Sequence, residues 1–440
     1  MPAKRYLIIG DGAAGTTAAQ HLRTVDPNAT IAIISDDPAP AYFRAALTNY
    51  LLGELREEQI FAVPPTFYDE FEIHRALARV ATVDTKRSCV MLAQGGKPVA
   101  YDALVIGAGS RARAPTFEGN WLPGVMTMRT LQDVRNVMDL IKLRGLRHAV
   151  VVGGGPLGLE WAHGLVVRGV KVTMVLRDPK FMAGAMDDVA SDLLLARLKH
   201  AGVGVRMRDE IVAVLPGKDG RAAGVALKSG ERMACDLVAV GIGVMCNSEF
   251  LQNSGLTIDK NGGVAVDDAM RTNVPNVYAA GDIASYKGKL LQLWEPAKMQ
   301  ARVVAANISG RPTHYQAGTH YMATRLYDLD FAGLGESGGA TAAGTEELVR
   351  FPQGTGQIEY RKIMIRDGRV VGALMLGERE ARVRRHGRAL KTLIDKKIDV
   401  SGIKDEMLDP SFDLASWVTA HEAANAPKKM RQGTLAAGAK

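Results

Sequence analysis

One short pattern occurs twice in this chain and restricts its fold more than any other feature. Tyr6 begins the segment YLIIGDGAAG, and Ala149 begins the segment AVVVGGGPLG. In each segment a short β-branched run leads into a glycine turn, and small residues then open a helix. A second apolar run follows each helix, from Ala29 to Ser35 and from Val170 to Leu176. Such units predict parallel sheets that are covered by helices on both faces.

The two units predict an α/β fold with two doubly wound, Rossmann-like domains. Residues 1–112 and 243–315 are assigned to the first, discontinuous domain, and residues 113–242 to the second. Residues 316–405 contain strand-like runs followed by a charged helix, which indicates a C-terminal α+β interface domain. Residues 406–440 are interpreted as a C-terminal tail. A length of 440 residues suits two or three domains of ordinary size.

The first glycine turn has the spacing of a dinucleotide fingerprint. Its glycines allow a tight turn, a close approach of the backbone to a pyrophosphate, and close packing of the helix. The N-terminus of that helix attracts the negative charge. The next strand ends at Asp36, whose carboxylate can accept hydrogen bonds from a ribose. The predicted contacts of the turn itself are Gly10, Gly12, Ala13, Ala14 and Gly15.

The second glycine turn repeats this spacing but lacks the acid. Its strand ends in Leu176 and Arg177, where a ribose-binding acid is usual. Arg177 or Lys180 could face the 2′-phosphate of NADPH, or both could be exposed turn residues. The choice between NADH and NADPH stays open at this point. The predicted contacts of the turn and its helix are Gly153, Gly155, Gly158 and Glu160.

A third motif, TNVPNVYAAGD, runs from Thr272 to Asp282. A strand that ends in Gly281 and Asp282 can present a carboxylate to the ribityl hydroxyls of a flavin. The next helix, predicted to begin near Pro296, would direct its positive N-terminus toward the pyrimidine edge of the flavin. The order of the three motifs predicts that the first fold binds FAD and that the second binds NAD(P)H.

These motifs, with the segment YDALVIGAGSRARAP from Tyr101 to Pro115, resemble the FAD-dependent pyridine nucleotide-disulfide oxidoreductase superfamily over residues 4 to 310. The resemblance implies that the first turn, Asp36, Asp282 and Gly109 belong to an FAD site. It also implies that the second turn serves a nicotinamide nucleotide near the flavin, with Glu160 as a candidate for positioning the nicotinamide.

The segment PAYFRAALTNYL, from Pro40 to Leu51, contains no cysteine, whereas disulfide reductases of the superfamily carry a CxxxxC pair in that region. A thiol-disulfide relay is excluded there, because no residue can form the thiolate. The segment instead resembles the Tyr-x-Arg-x-x-Leu stretch of nitrite reductase flavin domains, rubredoxin reductases and ferredoxin reductases, through Tyr42, Arg44 and Leu47. That resemblance implies that Arg44 lies beside the FAD.

Together these features predict an NAD(P)H-dependent flavoprotein oxidoreductase in which hydride passes from nicotinamide to FAD, without a catalytic side chain or a metal. The chain lacks the cysteine clusters of a further redox centre. The acceptor is therefore expected outside the chain, as a ferredoxin- or rubredoxin-type protein or a sirohaem reductase partner. Two alternatives stay open: a diaphorase or oxidase that acts on dioxygen or another small molecule, and a non-catalytic flavin-binding interaction protein.

The net charge of +8 is concentrated near the C-terminus, where residues 361–440 hold 17 Lys or Arg against 10 Asp or Glu. This region could attract an acidic redox partner, or it could be only a solvated helix face around Arg382 to Arg388. The third domain of the superfamily often forms a dimer interface, but a basic helix there would repel its own copy. A homodimer is therefore an open alternative, and no nucleic-acid partner is expected.

The three cysteines have no spacing typical of a metal site or a disulfide framework and are predicted to be buried thiols: Cys89, Cys235 and Cys246. The N-terminal apolar run stops at Asp11 and is too short for a signal peptide. Glycines and polar residues interrupt the apolar run from Val150 to Val167. We therefore expect no membrane span and a cytoplasmic location.

Overall fold

The computed structural model describes residues 3–338, 341–351, 357–409 and 411–425. The described residues form two compact units. The first comprises the described residues up to Met182 together with Leu194–Gly318, and the second comprises Ala183–Leu193 and the described residues from Thr319 onward. Within the described ranges, no helix has both the length and the apolar character needed to cross a bilayer.

Five parallel strands form the first sheet of the first unit: β1 (Arg5–Ile9), β2 (Thr30–Ser35), β3 (Ile73–Leu77), β7 (Ala103–Ile106) and β19 (Val277–Ala279). Their order is β19, β7, β1, β2, β3. Tyr6 and Ile8 of β1 pack with the two helices on one face, α1 (Ala13–Val25) and α7 (Trp294–Ile308). Leu7 and Ile9 pack on the other face with the small sheet of β4 (Val80–Asp84), β5 (Cys89–Leu92) and β6 (Val99–Ala100). Both faces are covered, as a doubly wound fold requires.

A second sheet of five parallel strands consists of β9 (Val125–Thr127), β10 (His148–Val152), β11 (Lys171–Leu176), β12 (Gly204–Met207) and β16 (Leu237–Val240). Their order is β12, β11, β10, β16, β9. One face packs against the antiparallel sheet of β13 (Ile211–Pro216), β14 (Ala222–Leu227) and β15 (Arg232–Ala234). The helices in this part of the chain are α4 (Leu131–Arg144), α5 (Pro156–Val167) and α6 (Asp188–His200).

The two connections between these folds lie side by side. Strand β8 (Ser110–Ala112) leaves the first fold, strand β17 (Val244–Cys246) returns to it, and the two pair antiparallel. The chain therefore crosses out of the first fold and back into it at one place, as the order of the motifs requires. The remaining elements of the first unit are α2 (Leu47–Leu52), α3 (Phe67–Glu70), β18 (Val264–Val266), β20 (Ala284–Tyr286) and β21 (Lys289–Leu290).

The second unit contains an antiparallel sheet of β22 (Tyr321–Leu326), β23 (Leu329–Gly335), β24 (Glu346–Arg350), β25 (Glu359–Arg366) and β26 (Arg369–Gly377). Their order is β22, β23, β26, β25, β24. Two helices accompany the sheet, α8 (Val383–Lys396) and α9 (Leu414–Asn425). Leu390 and Leu393 of α8 share one core with Leu334 and Ile363 of the sheet. This arrangement confirms the predicted C-terminal α+β fold.

The prediction that a tail begins at residue 406 is wrong. Met407, Leu414 and Val418 are buried in the same core as α8 and the sheet. Leu414 and Val418 are four residues apart and therefore lie on one face of α9, which packs on that core. Residues 426–440, the remainder of the predicted tail, lie outside the described residues.

The basic side chains of α8 largely have acidic partners within the second unit. Arg384 lies 3.6 Å from Asp330, and Arg385 lies 3.2 Å from Asp413. Two further pairs join Lys391 to Asp395 and Lys396 to Glu422. Exposed pairs of this kind stabilise a fold little, but they balance the local charge. This arrangement favours a solvated helix face over a docking surface for an acidic partner.

Candidate functional site

The two glycine turns have the same geometry, although they belong to different folds. The first glycine of each turn has a positive φ, 93° at Gly10 and 112° at Gly153, which other residues rarely adopt. A methyl group on Gly15 would lie 1.9 Å from the carbonyl oxygen of Gly10, and one on Gly158 would lie 2.1 Å from that of Gly153. Only glycine at these positions lets α1 and α5 start so close to the preceding strand.

The middle glycine of each turn, unlike the first and the last, has open space where a side chain would lie. A methyl group on Gly12 or Gly155 would meet no protein atom within 4 Å. Both residues are helix N-caps with extended backbone, and neither helix has a side-chain cap. The space before each helix is therefore open, and backbone N–H groups at the helix N-terminus are available to an anion. The residues present fit the pyrophosphate of a dinucleotide at both turns.

Asp282 follows β19 closely and lies in a polar cluster. Its Oδ2 accepts hydrogen bonds from Ser110 Oγ at 2.6 Å and from the Arg129 guanidinium at 2.5 Å. Burial lowers the pKa of Arg129, although the Asp282 charge opposes this shift. The Asp282 and Arg129 side chains are 18% and 24% exposed. The acid predicted from the sequence is thus held by an ion pair. Gly109, which precedes Ser110 in the chain, has a φ of 65°.

Gly281 lies between two helices. Its φ is 84°. A methyl group on Gly281 would lie 3.1 Å from Cβ of Ala14 in α1 and 3.6 Å from Cβ of Ala297 in α7. Its N–H donates to Oε1 of the buried Gln300 at 2.8 Å. This close approach brings the N-terminal turns of both helices to the place where Asp282 is presented.

Helix α7 begins at Trp294, two residues before the predicted start at Pro296. Proline is tolerated in a first helical turn, where its missing N–H is not needed. The ring of Phe43 packs edge-on against Trp294, with 4.8 Å between ring centroids. A cavity of about 320 Å³ opens here, and its lining includes Thr17 of α1 and Lys298 of α7. The first glycine turn therefore lies close to a surface recess.

Arg44 lies in a cluster with Tyr42 and Asp37. Its guanidinium donates to the Tyr42 hydroxyl at 2.9 Å and to the carbonyl oxygen of Arg129 at 2.7 Å. The Tyr42 hydroxyl donates to Asp37 at 2.8 Å and accepts from the N–H of Leu131 at 3.1 Å. Burial raises the pKa of Tyr42 to about 12, so the hydroxyl keeps its proton at neutral pH. The cluster connects the loop after β2 to the start of α4 in the second fold.

A largely buried ion pair supports the first glycine turn. Asp11 is 6% exposed and accepts hydrogen bonds from Arg75 Nε at 2.6 Å and from Ser35 Oγ at 2.9 Å. Arg75 also donates to two carbonyl oxygens of the loop after β2, at 2.6 and 2.7 Å. That loop carries Asp36, which is exposed. Arg75 thus ties the glycine turn to the loop of the predicted ribose acid.

Helix α2, in the segment without cysteine, packs against α5 of the second fold. A methyl group on Gly164 of α5 would lie 2.5 Å from Cδ2 of Leu51, which shows how close the two helices are. Arg168 Nε donates to the carbonyl oxygen of Leu51 at 2.8 Å. Thr48 Oγ1 donates to Glu160 Oε2 at 2.9 Å. Glu160 is therefore held at the border between the two folds.

The cysteines are buried and form no disulfide, as predicted. Burial raises the pKa of Cys235 to about 12 and that of Cys246 to about 11. Cys246 lies near the site, with Sγ 3.4 Å from the carbonyl oxygen of Asp282. A thiol with this pKa is protonated at neutral pH and cannot act as a thiolate. In the described ranges no cluster of His, Cys, Asp and Glu is arranged to hold a metal ion.

Several of these residues have no signal in the sequence pattern. Arg129 and Ser110 contact Asp282 across sequence separations of 153 and 172 residues. Asp11 occupies a variable position of the glycine fingerprint, and its partly buried partner Arg75 lies in a separate strand. Periodicity and glycine spacing describe local structure only, so they do not identify such partners.

A family model described as pyridine nucleotide-disulphide oxidoreductase matches residues 4–301. The chain belongs to this family. Rubredoxin-NAD(+) reductase of Pseudomonas putida is 33% identical over 70% of this chain and 80% of its own length. Nitrite reductase [NAD(P)H] of Bacillus subtilis is 28% identical over 96% of this chain, which spans 51% of that relative. The solved ferredoxin reductase of the CYP199A2 system from Rhodopseudomonas palustris has a TM-score of 0.81 and 26% identity, over 94% of this chain and 100% of its own.

Family membership confirms three predictions from the sequence. The fold has two Rossmann-like domains followed by a C-terminal domain, the cofactors are FAD and NAD(P)H, and the protein is an NAD(P)H-dependent flavoprotein oxidoreductase. The two open glycine turns agree with two dinucleotides, one for each fold.

Proposed function

We propose that this chain oxidises NAD(P)H and delivers the electrons to a separate protein, either a redox protein of the ferredoxin or rubredoxin type or a reductase subunit. One observation carries the proposal: α2 and the segment around it, next to the border of the two folds, contain no cysteine. Electrons therefore have no thiol relay inside the chain. The relatives named rubredoxin-NAD(+) reductase and ferredoxin reductase support an external protein acceptor.

Bound FAD would supply the redox chemistry, which is to accept hydride and to release the electrons to the acceptor. The chain's part is to bind and orient. The proposed FAD residues are Gly10, Gly12, Ala13, Ala14, Gly15, Asp36, Arg44, Gly109, Gly281, Asp282 and Pro296. The proposed nicotinamide nucleotide residues are Gly153, Gly155, Gly158, Glu160 and Arg177. In this proposal Arg129 positions Asp282, and the contact of α2 with α5 keeps the two nucleotide sites in register.

We expect Thr48→Val to slow the reduction of the protein by NAD(P)H roughly 10-fold, because Glu160 loses a charge-assisted hydrogen bond at the border between the sites. Valine has the shape of threonine without the hydroxyl, so FAD content and thermal stability should change little. Stopped-flow absorbance near 450 nm under anaerobic conditions measures the rate. Thr48→Ser keeps the hydroxyl and is the matched control. Equal rates for the unchanged protein, Thr48→Val and Thr48→Ser would show that the Thr48 hydroxyl does not contribute to reduction.

The external acceptor is tested by reoxidation. The purified yellow protein is first reduced anaerobically with NADH or NADPH and is then mixed with a [2Fe-2S] ferredoxin, with rubredoxin, or with air-saturated buffer. We expect at least one of the two redox proteins to reoxidise it faster than air does, with a rate that falls as salt is added. Reoxidation that is fastest in air would favour the oxidase alternative. Failure of both nucleotides to bleach the absorbance would contradict the proposed activity altogether.

A further inference from the structure

Exposed cations collect along one edge of the second sheet. Its strands are parallel and all begin at this edge, and α4, α5 and α6 end there because each leads into the next strand. Lys142 and Arg144 belong to the last turn of α4, and Lys199 belongs to that of α6. Arg147 directly precedes β10, and Lys171 is the first residue of β11. All five are exposed, and together they are called the basic edge below.

The basic edge is not neutralised by its surroundings. None of its side chains has a hydrogen bond or an ion pair with another described residue. The exposed Asp236 accepts instead from the backbone N–H groups of Arg147 and His148, at 2.9 and 3.0 Å. Asp139 of α4 lies before the last turn of the helix. Cations in a last helical turn stabilise the helix dipole, but this role does not account for Arg147 and Lys171, which lie outside the helices.

The two most exposed large apolar side chains of the described chain lie at the same edge. Leu143, between Lys142 and Arg144, is 77% exposed. Trp121, in the loop that leads into β9, is 74% exposed. Val167, at the end of α5, is 53% exposed. A single exposed apolar side chain is normal at a protein surface, but three at one edge, among unpaired cations, indicate a binding surface.

We propose that the basic edge binds to the surface of an anionic lipid bilayer, with Trp121 and Leu143 entering the headgroup region. Lysine and arginine are attracted by the negative potential of such a surface. Exposed leucine gains by burial at the boundary of the acyl chains, and tryptophan is typical of the membrane–water interface. A nucleic acid would match the charge equally well, but its phosphate backbone offers no apolar contact to Leu143.

This orientation leaves the second glycine turn accessible. Gly153 follows β10 at the end opposite to the basic edge. The five residues of β10 each rise about 3.3 Å, so the turn lies roughly 16 Å from the edge. Bilayer binding and nucleotide binding are therefore compatible. Reduction by NAD(P)H should proceed at the same rate with and without vesicles.

Cosedimentation of the holoenzyme with vesicles tests the surface. We expect binding to vesicles of equal parts phosphatidylcholine and phosphatidylglycerol, no binding to pure phosphatidylcholine, and weaker binding as salt is added. Replacement of Lys142, Arg144 and Arg147 by glutamine should weaken binding on the order of 100-fold, since each cation near the surface contributes about 5-fold. The matched control removes the same charge from exposed positions of the first fold, by Lys86→Gln, Lys97→Gln and Lys260→Gln, and should bind as before.

The apolar contribution is measured separately. Trp121→Ser combined with Leu143→Ser should weaken binding at least about 10-fold without a loss of thermal stability, because both side chains are exposed. Brominated lipids should quench the emission of Trp121, obtained as the difference between the unchanged protein and Trp121→Phe.

Several outcomes would overturn the proposed surface: equal binding to neutral and anionic vesicles, an equal loss in the control, or unchanged binding in the serine variant. Binding to double-stranded DNA but not to the anionic vesicles would assign the basic edge to a nucleic acid instead. The proposed reductase activity is measured independently, because both triple variants should still be reduced by NAD(P)H at the rate of the unchanged protein.

Discussion

Gly12→Val is expected to give a folded protein that contains no FAD. A side chain on Gly12 meets no protein atom within 4 Å, so the substitution should change the free energy of unfolding of the apoprotein by less than about 1 kcal/mol. The same side chain would occupy the space before α1 into which a pyrophosphate must come. Several charge-assisted hydrogen bonds of about 1.5–3 kcal/mol each would be lost, which lowers FAD affinity by more than about 100-fold.

The equivalent change in the second turn should separate the two nucleotide sites. Gly155→Val also places a side chain in open space, but before α5. We expect this variant to retain FAD and to lose reduction by both NADH and NADPH. The ratio of absorbance at 450 nm to that at 280 nm measures FAD content, and denaturant titration measures stability.

Gly15→Ala provides the contrast for both variants, since its methyl group would lie 1.9 Å from a backbone oxygen. That variant should be destabilised even without FAD. If Gly12→Val bound FAD normally, or if Gly155→Val lost FAD and kept its nucleotide, the assignment of the two turns would be wrong.

Asp282→Ala is expected to lose FAD and to destabilise the apoprotein by about 3 kcal/mol. The stability loss comes from Arg129, because removal of one partner of a largely buried ion pair leaves the other charge uncompensated. The value lies at the low end of the range for buried pairs, since both side chains keep some exposure to solvent. FAD is lost for a different reason, the absence of a carboxylate for the ribityl hydroxyls.

A double variant distinguishes these two effects. Arg129→Met combined with Asp282→Ala removes both charges, so most of the lost stability should return while FAD binding should not. Denaturant titration of the apoproteins and titration with FAD measure the two quantities independently. Recovery of FAD binding in the double variant would show that Asp282 serves only to neutralise Arg129.

The parts of the site that could be predicted from the sequence are those that depend on local backbone geometry. The glycine turns need positive φ and close helix packing, and only glycine meets both needs, so Gly10 and Gly15 are recognisable by spacing alone. The lack of a thiol relay was equally predictable, because it follows from residue types in one short segment. Paired fingerprints and their order were sufficient to predict two Rossmann-like folds.

Other features depend on contacts that no short pattern records. Arg129 comes to Asp282 only because the chain crosses between the folds at β8 and β17, and Arg75 reaches Asp11 through the pairing of strands β2 and β3. The error at residue 406 has a similar origin. In the sequence, charged residues lie between Met407 and the preceding core residues, so the segment after residue 405 has the pattern of a tail. In the structure, Leu414 and Val418 pack α9 against the core of the domain.

The central claim, a flavoprotein that passes electrons outward without an internal thiol relay, is tested most directly by the stoichiometry of reduction. The purified holoenzyme is titrated anaerobically with the preferred nicotinamide nucleotide while its absorbance near 450 nm is recorded. Each nucleotide delivers two electrons, and FAD accepts two. We predict that bleaching is complete at one equivalent per FAD, with no long-wavelength absorbance from a thiolate beside the flavin. Uptake of two equivalents, or the appearance of that absorbance, would reveal a redox-active disulfide and contradict the account.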